Sequence, residues 1–395
     1  MRVLVATIAP ISGGVPRMTE YVVSRLQERG MDPVIAHYQP YSMSPWLSVP
    51  VHRLLQRRVG RQVTSWKGLE AHALGAWMPE LEFTHYLPTR LWRELVASCD
   101  FHVAVTGNCL AAAPYALGGQ PFWAWVATPW AEDRADRVRS FPWYRRWLDA
   151  AVNSHGARRL ERKVVASGTI VALSQYTKES LNNRVGGDPV RYVMPMGIDT
   201  VHFRPRPRQD TAAKVGFIGR YDDPRKNIGL LIDAVAWCRR RGHPITAVLA
   251  GADERNVIEN MLRERGLQDE VELHGDVDRE SLPDLLSGLS AFIVPSHQEG
   301  LCIAALEAMA CGLPVISTRC GGPEEYIRDG ETGFLVDAAA PALGQRILDI
   351  VLDNSLRQSL GTGARRLIED SYAEQRTEGI FWSSFNEAFP MAKAA

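Results

Sequence analysis

The sequence predicts an α/β protein built from two doubly wound, Rossmann-like domains, with a last helix returning to the first. Three observations carry this. Short apolar strands alternate with amphipathic helices through most of the chain, the pattern of parallel sheets with right-handed crossovers and helices on both faces. The alternation breaks at Arg204-Pro205-Arg206-Pro207-Arg208, which reads as a linker, and then restarts. At 395 residues the chain is long for one core, while 46% apolar and 23% charged residues are ordinary for a globular protein. The expected domains are therefore 1–203 and 204–372, facing each other across a cleft, with 373–395 as the returning helix.

Residues 3–8 read as a strand, 11–16 as a loop holding Gly13 and Gly14, and 17–30 as a helix. That helix has apolar positions 18, 22, 23 and 26 on one face, and Gly30 is its stop. Further strands are expected at 33–37, 101–105, 122–127 and 169–173, with a long helix over 143–165, and 190–194 closes the first half. Segment 41–95 fits the alternation least. It holds Trp46, Trp66, Trp77 and Trp92, with Arg53, Arg57, Arg58 and Arg61 beside Leu54 and Leu55. Three readings stand: a packed helical excursion, a basic-aromatic face for a lipid-linked acceptor, or an insertion whose aromatics stack on a soluble acceptor. Trp143-Tyr144-Arg145-Arg146-Trp147 raises the same choice, whereas Arg158, Arg159, Arg162 and Lys163 read as the solvated face of the long helix.

The second half runs strand 215–218, helix 228–241, strand 245–250, helix 255–265, strand 271–274, short helix 280–286 and strand 291–294. Then comes the most informative stretch, Pro295-Ser296-His297-Gln298-Glu299-Gly300-Leu301, leading into an apolar helix over 301–310, Gly312 and a strand at 313–317. This β-turn-α-turn-β unit sets Glu299 at a strand's carboxyl end and Glu307 about two turns down the helix. Between them, a helix N-terminus offers backbone N–H groups and a positive dipole end to an anion. Carboxylates accept from sugar hydroxyls and the helix end suits phosphate; a nucleotide sugar carries both. The last helical pattern, 373–389, has apolar residues at 380, 381, 385 and 389.

Zero net charge argues against a general nucleic-acid binder. Six scattered cysteines (99, 109, 238, 302, 311 and 320) without a C-x-x-C pair suit a reduced, cytoplasmic interior better than disulfides or a metal site. The chain opens directly on a strand, so no signal peptide is expected. No apolar run approaches membrane-spanning length, which leaves at most a peripheral membrane contact.

The combination resembles the retaining, nucleotide-sugar-dependent glycosyltransferases of the GT-B fold, in the large group often called family four (glycosyl transferases group 1). The residues that carry the resemblance are Met196-Gly197-Ile198-Asp199 with Phe203 and Pro205; Gly219-Arg220 followed by Lys226-Asn227; Leu249-Ala250-Gly251; His274-Gly275; and the stretch from Glu299 with Glu307 to Asp337. The first half matches less, through Gly13-Gly14 and through Ser174, which opens the loop after a strand.

The resemblance implies that Arg220 and Lys226 hold the donor diphosphate, that Glu299 lies by the transferred sugar and that Glu307 accepts from the ribose. It also implies that the N–H groups of Gly300, Leu301 and Cys302 face the phosphates. Gly13, Gly14, Gly219 and Val277 belong to the donor side. The residues themselves leave blander readings open: a solvated turn for Tyr221-Asp222-Asp223-Pro224-Arg225, a helix cap for Glu299, ordinary turn glycines for Gly13-Gly14. Glu307, in an otherwise apolar helix, demands a partner. The family's histidine after a middle strand of the first domain is missing, and Thr128-Pro129-Trp130 stands there: either Thr128 or a loop neighbour fills its role or the donor lacks that contact. Thr128, Trp130 and Ser174 are assigned to the sugar or acceptor side. His102 and His155 read as structural.

Asp276-Val277-Asp278 matches the D-x-D pattern of metal-dependent enzymes, but its place suits the nucleotide base, and the cations already supply the charge. No essential metal and no cofactor are expected. The implied reaction is retaining transfer from a nucleoside-diphosphate sugar, UDP favoured by family frequency. The acceptor hydroxyl belongs to a glycolipid or polysaccharide precursor or a small natural product. The rivals are a sugar-nucleotide epimerase of the same fold and a non-catalytic nucleotide-sugar binder.

Overall fold

A computed structural model describes residues 1–9, 13–55, 58–207, 213–221, 223–251 and 255–390; Arg57, Asp222, Arg208 and the loop positions 11 and 12 lie outside them. The chain divides into two compact units, Met1–Met194 with Gly379–Ala395, and Pro195–Glu378.

In the first unit the described strands are β1 (Arg2–Thr7), β2 (Asp32–Tyr38), β3 (Arg61–Trp66), β4 (Leu69–Leu74), β5 (Phe101–Thr106), β6 (Trp123–Val126), β7 (Thr169–Ala172) and β8 (Tyr192–Val193). Their order is β3-β4-β2-β1-β5-β6-β7-β8, parallel throughout except between β3 and β4. Central strands are covered on both faces, so Val3, Leu4, Val5 and Ala6 are all fully buried, as a continuous apolar run requires.

The β3–β4 hairpin corrects the helical reading of segment 41–95. It turns on Lys67 and Gly68, both at positive φ (49° and 84°), the geometry a two-residue hairpin loop needs to match the strand twist. The predicted long helix is also interrupted. It runs Trp143–Leu148, widens into a π-turn over Asp149–Asn153 and resumes as Ser154–Ser167. The widened turn coincides with a buried ion cluster: Arg134 Nη1 donates to both Asp149 carboxylate oxygens at 2.6 Å, Arg134 Nε lies 2.9 Å from Glu82, and Asn153 donates to Asp149.

The second unit carries β9 (Lys214–Ile218), β10 (Thr246–Ala250), β11 (Val271–His274), β12 (Ala291–Val294), β13 (Val315–Thr318) and β14 (Gly333–Val336), all parallel in the order β11-β10-β9-β12-β13-β14. It begins earlier than residue 204. Ile198 N–H donates to the Tyr372 carbonyl at 2.8 Å, Phe203 is buried, and its carbonyl accepts from Arg365. A Cβ on Gly197 would lie 2.7 Å from the Glu374 backbone, so only glycine lets these segments meet.

The last helix, Glu374–Ala388, belongs to both units in turn. Thr377 Oγ1 donates to the Pro195 carbonyl in the second. In the first, Trp123 Nε1 donates to Ser384 at 2.9 Å, Phe381 sits edge-on to Trp123, and Phe389 sits edge-on to Phe101.

Candidate functional site

Strand order fixes where a site can form in the second unit. β9 is the first strand of its sheet, and its neighbours β10 and β12 lie on opposite sides, so the crossovers leave in opposite directions at β9/β12. Loops splay apart at such a switch point and leave a crevice at the strands' carboxyl ends. The loop after β9 carries Gly219, Arg220 and Lys226; the loop after β12 carries Ser296 and Glu299.

An ion pair joins these two loops. Lys226 Nζ donates to Glu299 Oε1 at 2.7 Å, and Ser296 Oγ donates to the same oxygen at 2.6 Å. Burial alone would lower the Lys226 pKa, but the Glu299 carboxylate outweighs it and raises it above the usual 10.5, so the ammonium stays charged. Around the pair the backbone is closely tied. Asn227 adopts a left-handed conformation (φ 48°) and its amide donates to the Pro295 carbonyl at 3.1 Å; His297 N–H donates to the Arg225 carbonyl at 2.7 Å. Gly219 N–H donates to the Ala250 carbonyl, and a Cβ on Gly251 would lie 2.0 Å from the Gly219 carbonyl oxygen, so that loop is held from behind.

Arg220 and Arg225 share one anchor. Asp223 takes Arg220 Nη2 and Arg225 Nη2, each at 2.7 Å. Burial would raise the Asp223 carboxyl, but the Arg225 hydrogen bonds, with the charges of both arginines, hold it well below the usual 3.8. Arg220 is the more open of the site's two predicted cations, 41% exposed against 17% for Lys226, and so the readier to meet a ligand from solvent.

The helix after Glu299 starts later than residue 301. It spans Ile303–Ala310, and Cys302 precedes it in a left-handed conformation (φ 63°). Gly300 and Leu301 therefore lie in the approach to the helix rather than within it. That approach is clamped by the loop after β13: Glu299 N–H donates to the Cys320 carbonyl at 2.7 Å, Gly322 N–H donates to the Glu299 carbonyl at 2.9 Å, and Tyr326 Oη donates to the Leu301 carbonyl at 2.8 Å. Burial, reinforced by the Glu299 charge, pushes the Cys302 thiol far up, so it is a neutral group. Glu307 lies buried on the same helix. Val277 is half-buried in the loop after β11; its neighbour Asp278 caps the next turn, accepting from Ser281 N–H at 2.9 Å and Oγ at 3.0 Å. Among the described residues no group of three or more His, Cys, Asp or Glu is placed to hold a metal ion.

The first unit places its predicted residues differently. Gly13 (φ 139°) and Gly14 are exposed where the first helix, Gly14–Glu28, begins after β1. Thr128 is buried, its N–H donating to the Gly107 carbonyl at 2.7 Å in the loop after β5. Trp130 faces inward: its backbone N–H donates to Glu161 at 3.0 Å, its indole to Glu82 at 3.1 Å, and Arg134 lies over its ring. Ser174 caps the helix Gln175–Val185, its Oγ accepting from Thr177 N–H. His102 is buried against the Val96 carbonyl and His155 is exposed. Sequence reasoning missed Ser296 and Asp223. Both were visible as short polar residues inside the two loops that were singled out.

A match to the family described as Glycosyl transferases group 1 covers residues 199–367. That segment is similar to a group 1 glycosyltransferase domain. The chain is 31% identical over 233 residues to a D-inositol 3-phosphate glycosyltransferase of Salinispora arenicola, covering 52% of each. It is 27% identical over 277 residues to an MMP alpha-(1->4)-mannosyltransferase of Mycolicibacterium hassiacum, covering 68% of this chain and 67% of that one. The first of these alignments spans about half the length of the curated relative. Among solved structures, sucrose-phosphate synthase of Thermosynechococcus elongatus superposes with a TM-score of 0.76 over 99% of this chain and all of that one, at 19% identity. Anabaena Alr3699/HepE, solved in complex with UDP, superposes with a TM-score of 0.72 over 98% and 100%, at 17% identity. The fold is GT-B. The group 1 segment contains every residue of the Arg220–Lys226–Glu299–Glu307 set. Among the described residues no helix is long and apolar enough to cross a membrane.

Proposed function

We propose that the chain transfers a sugar, with retention, from a nucleoside-diphosphate sugar, UDP favoured, to an acceptor hydroxyl in the cytoplasm. The observation that carries this is the Lys226–Glu299 pair, set at the switch point of the second unit with Arg220 beside it. A leaving diphosphate gains negative charge as the glycosidic bond breaks. Fixed cations stabilise that charge more than they stabilise the intact donor. In this reading Arg220 and Lys226 hold the diphosphate. Glu299, relieved of part of its hold on Lys226, accepts from sugar hydroxyls, and Glu307 from the ribose. The N–H groups of Gly300, Leu301 and Cys302, with Gly219, Gly13, Gly14 and Val277, complete the donor side. Thr128, Trp130 and Ser174 support the sugar and acceptor side through the loops they brace.

Retention is assigned to front-face attack, with the departing phosphate oxygen taking the acceptor proton. No metal is assigned: the two cations do the work of neutralisation. By their names, one curated relative is a glycosyltransferase for D-inositol 3-phosphate and the other transfers a mannosyl group in an alpha-(1->4) linkage, which supports a polyol or sugar hydroxyl as acceptor.

Thermal-shift and calorimetric titration with UDP, GDP and their hexose conjugates tests the reading, because a ligand that binds only the native state raises its apparent stability. Stabilisation by a diphosphate nucleotide, lost in Arg220→Ala and Lys226→Ala, is the expected result. Indifference to every nucleotide overturns it. Conversion of the nucleotide sugar without acceptor identifies an epimerase, and turnover abolished by EDTA overturns the metal-free assignment.

A further inference from the structure

The helix that begins at Trp143 is the part of the first unit that sugar transfer leaves unused. Its first two turns, Trp143–Leu148, contain no buried residue. Trp143, Tyr144 and Trp147 are 75%, 60% and 69% exposed, and Leu148 is 41% exposed. Two isolated turns have no helical stability of their own. They are rooted in the widened turn over Asp149–Asn153, in which Asp149 grips Arg134 and Asn153 accepts from Phe83 N–H. Large apolar side chains projected from so firmly rooted a segment mark an interaction surface.

The surrounding charge selects the partner. Arg145 and Arg146 lie within the same two turns, exposed and without a carboxylate partner among the described residues. The acidic groups nearby are already engaged: Asp136 with Arg139, Asp149 with Arg134. A chain of zero net charge thus sets two arginines without a carboxylate partner, Arg145 lying over the Phe141 ring at 4.1 Å, beside two indoles. A second copy of the chain would bring the same arginines face to face across a two-fold interface, which repels. The headgroup layer of an anionic bilayer takes both components, indole rings at the boundary of headgroup and acyl chain and guanidinium groups on lipid phosphates.

We propose that Trp143–Leu148 docks the chain on an anionic lipid surface, Trp143 and Trp147 entering the headgroup layer and Arg145 and Arg146 binding its phosphates. This is independent of the donor site, and no nucleotide is needed to test it. The full chain is floated with vesicles of phosphatidylcholine alone and of phosphatidylcholine mixed with phosphatidylglycerol. Co-flotation with the mixed vesicles, absent with the zwitterionic ones and fading as salt rises, is the expected result. Arg145→Ala with Arg146→Ala weakens binding roughly 30-fold, at about 1 kcal/mol per arginine. Trp143→Ala with Trp147→Ala removes detectable flotation. Both variants keep the thermal unfolding midpoint, since the side chains are exposed. Absence of flotation, equal flotation with both vesicle types, or variants that float like the parent overturn the proposal. So does a concentration-dependent dimer that the tryptophan variant abolishes.

Discussion

Glu161 in the first unit and Glu299 in the second are both buried carboxylates, 2% and 7% exposed, and the protein satisfies them in opposite ways. Glu161 accepts from the Trp130 backbone N–H at 3.0 Å and from the Cys109 thiol at 3.9 Å. Burial raises its pKa; the Trp130 N–H and the more distant Arg184 offset this only in part. Glu299 instead receives an ammonium and a hydroxyl on one oxygen. The first is a frame element, tied to neutral donors that nothing displaces. The second is half of a charge pair, and a charge pair is what an incoming anion can rearrange.

The sharpest way to break this contrast is Lys226→Ala. Removing one partner of a buried pair leaves a lone charge, so urea unfolding is expected to lose roughly 3 kcal/mol. Turnover of nucleotide sugar is expected to fall by about 10²- to 10³-fold. Adding Glu299→Gln restores most of the stability and none of the turnover. An unchanged urea midpoint for Lys226→Ala sinks the pairing.

Asp223→Ala comes next, at about 2 kcal/mol, because it releases Arg220 and Arg225 together. The folded-state pKa of Asp223 lies below the usual 3.8, so its contribution is complete above pH 3.8 and vanishes as pH falls through the folded value. The variant's stability is therefore flatter on the acid side, which chemical unfolding across a pH series checks.

Glu161→Gln is expected to stay within about 1 kcal/mol of the parent at neutral pH, since an amide oxygen still accepts from Trp130. The folded pKa of Glu161 is raised above 4.5, so the parent loses stability as pH climbs from 4.5 through the folded value. The variant lacks that slope and gains on the parent toward neutrality; thermal scans at both ends show it. A large loss at neutral pH makes Glu161 a charge partner after all.

The smallest effect belongs to Cys302→Gly. Relieving a left-handed non-glycine residue stabilises by ~1–2 kcal/mol, and the added freedom of the unfolded chain returns ~0.5–1, leaving a gain of about 0.5 kcal/mol in the melting equilibrium.

The sequence showed the parallel sheets plainly, because strands such as β1 and β12 are covered on both faces and read as unbroken apolar runs. It hid the β3–β4 hairpin: β3 is an exposed edge strand whose residues, Arg61 to Ser65, carry no alternation, and its turn is Lys-Gly rather than Asn-Gly. The Glu299 loop was legible because its carboxylate interrupts apolar elements. The start of the next helix was misplaced by two residues, since no residue type announces that Cys302 leaves the helical region. Trp130 and Ser174 looked available from their loop position alone. Trp130 is turned inward by Glu161 and Glu82, neighbours far away in sequence, whereas the capping partner of Ser174, Thr177, is close by.

The closing helix has a consequence for how the molecule is made. Phe381 and Phe385 complete a core whose other walls, Phe101 and Trp123, are synthesised some 260 residues sooner. During translation the face of the N-terminal sheet that Phe381 and Phe385 cover stays open until the entire second unit has been synthesised, so the first unit is completed last although it is begun first.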